Sequence, residues 1–156
     1  MVNREQRAEA RELILQFMAG EITNDDFGDA FPAKTEDAAL RAIDQMLWFW
    51  YDDLKTHRLT GKHELVPKEK ELGERCALFL ATDLEYEWPD LGHHGLLNPI
   101  LAFIGGEWFG RRRIEQAKKL GGYSVWPFFR IVDYERAKLR TPNPNQPLSA
   151  APTDAQ

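Results

Sequence analysis

One long amphipathic stretch constrains the fold of this chain more than any other feature of its sequence. Apolar residues recur at steps of three and four between a candidate capping residue, Thr35, and a terminating glycine, Gly61. They are Leu40, Ile43, Leu47, Trp50, Tyr51 and Leu54. This spacing places them on one face of an α-helix, so the segment predicts a long helix packed on a core.

Similar signals predict further helices on both sides of this segment. Asn3 suits the cap of a first helix, Thr23 that of a short second helix and Asp133 that of the last helix. Pro67 suits the first position of the helix after the long one. The additional helices are expected over about residues 4–19, 24–31, 67–88, 98–120 and 133–139. The span 98–120 contains Gly105-Gly106, so a broken helix is expected there, with a short strand over residues 100–104 as the alternative. The sequence therefore predicts a mostly α fold, an irregular antiparallel bundle of about five to six helices with an aromatic-rich C-terminal half.

Length and composition fit one folded domain followed by a tail. The chain has 156 residues, of which 43% are hydrophobic, and a chain of this size can bury a core without disulfides. The single Cys76 also excludes an intrachain disulfide. Residues 1–140 are predicted to form one helical domain. Residues 141–156 contain four prolines among small polar residues, so we expect a disordered tail.

The sequence also bears on where the protein acts. Its first residues have no apolar signal-peptide core, and no stretch reaches the length that a membrane span requires. We therefore expect a cytoplasmic protein that does not contact a membrane. The sequence has none of the glycine-rich phosphate loops, zinc-binding H-E-x-x-H motifs or nucleophile motifs of common enzyme classes, and it predicts no cofactor.

An uneven distribution of charge suggests a surface for a partner. Between residues 21 and 53, nine acidic side chains oppose two basic ones, which gives this segment a net charge of −7. Trp48 lies among charged residues on the outward side of the long helix, so either a later segment covers it or it is exposed to a partner. The candidate partner-binding residues are Trp48, Asp44, Asp52, Asp25 and Asp26. This pattern favours a basic protein partner over nucleic acid.

Acids on the predicted long helices allow a different interpretation. Asp53 and His57 are four residues apart, as are Asp83 and Glu87, so each pair shares a helix face. If the two helices pack antiparallel, these four groups converge as metal ligands, and the protein is a metal-dependent hydrolase of a small phosphorylated substrate. Asp83 also falls on the inward face of its predicted helix, in line with Leu72, Cys76, Phe79 and Leu80. We therefore expect it to be a buried structural acid whose replacement by alanine destabilises the fold.

A short N-terminal phrase resembles a known family. Residues 15–27 read Leu-Gln-Phe-Met-Ala-Gly-Glu-Ile-Thr-Asn-Asp-Asp-Phe. This run is similar to the opening of small helical bacterial immunity proteins of the colicin D immunity type, in which one helix ends and a second begins. The resemblance is confined to the part of the chain before residue 35. It implies a protein that silences a cognate toxin, often a basic nuclease, through an acidic surface. A non-enzymatic binding module is the favoured hypothesis, and a structural subunit of a larger assembly remains a further alternative.

Overall fold

The computed structural model describes residues 1–50, 55–88 and 122–140. These residues form five α-helices and no β-strand, so the predicted mostly α class is confirmed. The helices are α1 (Arg4–Met18), α2 (Asn24–Ala30), α3 (Ala38–Leu47), α4 (Pro67–Leu80) and α5 (Ile131–Arg140). Short 3-10 turns occupy Trp48–Trp50, Gly61–His63 and Gly122–Val125. The predicted helix or strand within 98–120 and the predicted tail lie outside the described residues.

The first two helices begin where their capping residues predict. The Asn3 side chain accepts a hydrogen bond from the backbone N–H of Gln6 at 3.1 Å. Thr23 and Asp26 form a reciprocal capping box, in which each side chain accepts from the other residue's backbone N–H. Between the helices Gly20 adopts φ +71°, a left-handed conformation that glycine adopts without steric cost. Local side-chain chemistry therefore sets this helix–turn–helix.

α1 and α4 pack against each other in antiparallel fashion. Arg4, at the start of α1, reaches Asp83, just beyond the end of α4. At the other end of α1, Met18 lies beside Gly73 in the middle of α4, together with the ring of Trp50. The core between the helices is apolar and aromatic; its largest buried members include Phe17, Phe27, Ile14, Leu40, Ile43 and Leu47.

A buried ion pair lies at the start of this core. Arg7 and Asp37 are 1% and 2% exposed, and two hydrogen bonds of 2.7 and 3.0 Å join them. The guanidinium of Arg7 also donates to the backbone carbonyls of Thr82 and Leu84 and lies over the ring of Phe79. The pair therefore ties α1, the start of α3 and the segment after α4 to one another.

Four predicted helix boundaries are wrong. α3 is capped by Asp37 and not by Thr35, and its α-helical part ends at Leu47, well before Gly61. α4 begins at Pro67 as predicted but ends at Leu80, eight residues before the predicted end at Trp88. α5 already begins at Ile131, so Asp133 lies in its first turn and is not its cap. At α3 and α4, the residues beyond the helix make long-range hydrogen bonds instead of continuing the helix.

The predicted aromatic character of the C-terminal half is evident in residues 124–130. Phe128 is fully buried and meets the ring of Phe79 of α4 edge to face at a centroid distance of 5.0 Å. The indole N–H of Trp88 donates to the carbonyl of Phe128, and that of Trp126 donates to the hydroxyl of Tyr86. Residues 84–88 and 124–130 therefore pack as one aromatic layer on α4.

Candidate partner-binding surface

The end of α3 presents a tryptophan to solvent. The buried face of α3 consists of Ala39, Leu40, Ile43 and Leu47. Trp48 follows directly with helical dihedral angles, φ −51° and ψ −31°, which point its side chain away from that face. Its side chain is 56% exposed, whereas Trp50, two residues on, is 5% exposed and lies 6.2 Å from the ring of Phe17. The buried Trp50 anchors the same turn that exposes Trp48.

An acid lies one helical turn before this tryptophan. Asp44 is four residues before Trp48, so the two side chains share a side of the helix. Asp44 is half-buried, and burial raises the pKa of its carboxyl above the usual range. The nearest cation in sequence, Arg41, donates instead to the carbonyl of Thr35 at 2.8 Å. Among the described residues, no basic side chain forms an ion pair with Asp44 within 4.0 Å.

The other predicted partner-binding acids have different surroundings. Asp25 and Asp26 are both exposed on α2. The carboxylate of Asp26 accepts hydrogen bonds from the backbone N–H and hydroxyl of Thr23, and these bonds lower its pKa. Asp25 accepts a short hydrogen bond from the hydroxyl of Thr56. Asp52 lies outside the described residues. Asp25 and Asp26 therefore contribute negative charge to the surface while they also hold local structure.

Asn24, a residue that the sequence did not single out, holds the chain that follows the Trp48 turn. Its side chain is buried and accepts from the backbone N–H of His57 at 2.7 Å, and it donates to the carbonyl of Lys55 at 3.3 Å. Arg58 reinforces this attachment by donating to the carbonyls of Gly20 and Glu21. The only sequence signal for this role of Asn24 was its position directly after a capping threonine. The chain from residue 55 to 58 is thus fixed to the turn between α1 and α2.

The structure does not bring together the four residues of the metal-site hypothesis. His57 lies near Phe17 at the end of α1, whereas Asp83 is bonded to Arg4 at its start. Thirteen residues of α-helix separate these two points, a distance of about 20 Å along the helix axis. Glu87 forms an ion pair with Arg130 at 2.8 Å. Asp53 lies outside the described residues, and the described ranges contain no cluster of three metal-ligating side chains.

The prediction that Asp83 is a buried structural acid is wrong. Its side chain is 62% exposed, because α4 ends at Leu80 and the inward stripe does not continue to residue 83. Both of its oxygens accept from Arg4, at 2.6 and 2.7 Å. Among the described residues, the acid that is buried is Asp37. Its burial opposes ionisation, but hydrogen bonds from Arg7 and from the backbone N–H groups of Asn3 and Ala39 hold its pKa below the usual range.

A surface cleft of about 410 Å³ lies between the segment after α4 and α5. Its acids already have cationic neighbours. Asp83 binds Arg4, and Asp133 lies 3.5 Å from Arg130 and 3.7 Å from Arg136. The acids of the cleft are therefore already paired with cations of the same chain.

Within residues 1–50, 55–88 and 122–140, no helix is long and apolar enough to cross a membrane. Cys76 is fully buried in α4, where burial raises the pKa of its thiol and keeps it from acting as a nucleophile. Comparison with protein-family models, curated proteins and solved structures gives no match to this chain.

Proposed function

We propose that this protein is a non-enzymatic binding module that uses the surface around Trp48 and Asp44 to bind a basic protein partner. The observation that carries the proposal is the 56% exposure of Trp48 at the fixed end of α3. A tryptophan offers a large apolar area with few rotatable bonds, so its burial by a partner gains much free energy at little entropic cost. For this reason exposed tryptophans surrounded by polar groups are typical of interface hot spots.

The charge of the surrounding segment supports a basic partner. Residues 21–53 carry a net charge of −7, and one of their nine acids, Asp37, is buried in an ion pair. The described acids of this segment that remain exposed are Glu21, Asp25, Asp26, Asp29 and Glu36. A surface with net charge of one sign increases the rate of association with a partner of the opposite charge. In this proposal the acids increase the association rate, and Trp48 slows dissociation.

An immunity-like role is the specific form of this proposal. The resemblance of residues 15–27 to immunity proteins implies a helix that ends shortly before a second helix. α1 ends at Met18 and α2 begins at Asn24, after a turn at Gly20. This agreement concerns only the turn between α1 and α2, which glycine and capping chemistry also explain. The cognate partner would be a basic toxin, for example a nuclease.

The proposal is tested by native mass spectrometry of the tagged protein, gently purified from the cells that encode it. We expect a one-to-one complex with a basic protein. The Trp48→Ala variant should weaken that complex by at least about 30-fold, the loss typical of a hot-spot residue. The Leu139→Ala variant is the matched control, because Leu139 is 87% exposed on α5, a helix that packs on α4.

Three results would contradict the proposal. The first is a Trp48→Ala variant that has the urea unfolding midpoint of the wild type and binds the partner with full affinity. The second is a monomer with bound metal and no protein partner, which would favour the hydrolase hypothesis. The third is a stable oligomer of this chain alone, which would favour a structural subunit.

A further inference from the structure

The Trp48 surface combines two features that call for one particular kind of partner group. Asp44 is a half-buried acid, and Trp48, on the same side of the helix one turn later, is a mostly exposed aromatic. The carboxylate of Asp44 and the exposed part of the Trp48 indole therefore lie on the same side of the helix. A group that interacts with both must be cationic and must be able to lie flat on a ring.

Asp44 is held in an unfavourable environment by the fold itself. Partial burial removes water from its carboxylate, and within the described residues no basic side chain replaces that water. Asp37, at the start of the same helix, shows the opposite arrangement. It is more deeply buried, yet Arg7 and two backbone N–H groups satisfy it. A desolvated charge opposes folding unless a counter-ion offsets it, and none of the described cations pairs with Asp44. An external cation would therefore relieve this cost.

We infer that the partner anchors itself with an arginine whose guanidinium pairs with the carboxylate of Asp44 and stacks on the indole of Trp48. This inference rests on the proposed function, because it names the partner's chemistry at the same surface. The guanidinium is planar, so it can lie on an aromatic face and still direct its edge N–H groups at a carboxylate. The ammonium of lysine is compact and strongly hydrated, so it can satisfy only one of the two groups well.

The inference predicts that one substitution has opposite effects on folding and on binding. Because the pKa of Asp44 is raised by burial, ionisation of its carboxyl is less favourable in the folded than in the unfolded state, so the ionised form opposes folding near neutral pH. Asp44→Asn is similar in shape but uncharged, and it should therefore raise the urea midpoint. The same substitution should weaken partner binding about tenfold, because it removes the charge that pairs with arginine.

A direct test needs no knowledge of the natural partner. The protein is labelled with 5-fluorotryptophan, and the Trp48 signal among the five tryptophan signals is assigned with Trp48→Phe. Tetra-arginine and tetra-lysine peptides are then titrated at physiological salt. We expect tetra-arginine to shift the Trp48 signal saturably, with about tenfold higher affinity than tetra-lysine. Asp44→Asn should remove this preference, and Glu135→Gln, which removes an exposed acid from α5, should keep it.

Any other pattern overturns the inference: no saturable shift of Trp48, equal affinity for the two peptides, or an unchanged preference in Asp44→Asn. The captured partner separates this failure from failure of the proposed function. If Trp48→Ala weakens the natural complex but Asp44→Asn does not, the binding surface stands and the arginine anchor is refuted. If neither variant weakens it, both proposals are refuted.

Discussion

Removal of the Asp37 carboxylate should destabilise this fold more than removal of any exposed acid. Asp37 is 2% exposed and accepts two hydrogen bonds from the buried guanidinium of Arg7. It also accepts from the backbone N–H of Asn3 at 3.0 Å and caps α3 through the N–H of Ala39. Asp37→Ala therefore leaves a buried cation without its counter-ion and a helix without its cap.

The expected loss follows from these contacts. Breaking a buried ion pair by removing one partner costs about 3–5 kcal/mol, and loss of a helix cap costs about 0.5–2 kcal/mol. The two terms overlap, and Arg7 retains its bonds to the carbonyls of Thr82 and Leu84. We therefore expect a decrease of about 4 kcal/mol in the free energy of unfolding. This is a large share of the roughly 5–15 kcal/mol that stabilises a typical domain.

Urea unfolding followed by circular dichroism measures this loss. The double variant with Arg7→Met should lose less stability than the sum of the losses of the single variants, because no buried charge then remains unpaired.

The contribution of Asp37 to the free energy of unfolding depends on pH. Since the pKa of Asp37 is lowered in the folded state, its contribution is present above the ordinary aspartate pKa of about 3.9 and is lost as pH falls below it. A loss below about 1 kcal/mol in Asp37→Ala at pH 7 would refute the buried pair as the main polar anchor of the core.

Two further predictions test the packing of α1 on α4. Asp83→Ala should leave the urea midpoint nearly unchanged, because its ion pair with Arg4 is exposed on both sides; a loss as large as that of Asp37→Ala would restore the original prediction of a buried acid. Gly73→Ala should lower the free energy of unfolding by up to about 2 kcal/mol. A Cβ there would press against the sulfur of Met18 on α1 and lie 2.7 Å from the ring of Trp50, which overpacks the core by more than alanine's helix propensity gains. A gain in stability from Gly73→Ala, measured in the same urea assay, would show that the helices do not approach so closely.

The parts of this fold that the sequence predicted correctly depend on local chemistry. Asn3, Thr23 and Pro67 mark the starts of α1, α2 and α4, because a cap or a helix-initiating proline acts within a few residues of itself. The inward face of α3 was predictable for a similar reason, since its apolar residues recur at helical spacing. The outward position of Trp48 followed from the same periodicity.

The parts that the sequence did not predict depend on long-range contacts. α4 was expected to continue to Trp88, but Arg7 binds the carbonyls of Thr82 and Leu84 from more than 70 residues away. Residues 55–57 were expected to be helical, but Asn24 binds their backbone instead. Local propensity cannot reveal such competing partners.

The candidate site shows the same division. Trp48 was identified from its helix face, whereas its exposure could only be seen in the structure. Asp83 was assigned the wrong surroundings and the burial of Asp37 was not predicted, because both depend on which cation approaches the acid. Arg7 reaches Asp37, and Arg4 reaches Asp83 at the surface. No spacing rule within one helix indicates which arginine approaches which acid.

The contacts of Arg7 have a consequence for how the chain matures during synthesis. Its counter-ion, Asp37, is 30 residues further along the chain, whereas the carbonyl of Leu84 is 77 residues further. At a synthesis rate of roughly 5–20 residues per second, about 4–15 seconds separate the synthesis of Arg7 from that of Leu84. During this interval the N-terminal helices can pack against each other, but the guanidinium of Arg7 lacks two of its hydrogen-bond acceptors, the carbonyls of Thr82 and Leu84. The first 40 residues therefore cannot reach their final state alone, and the fold closes only when α4 and the residues after it have emerged from the ribosome.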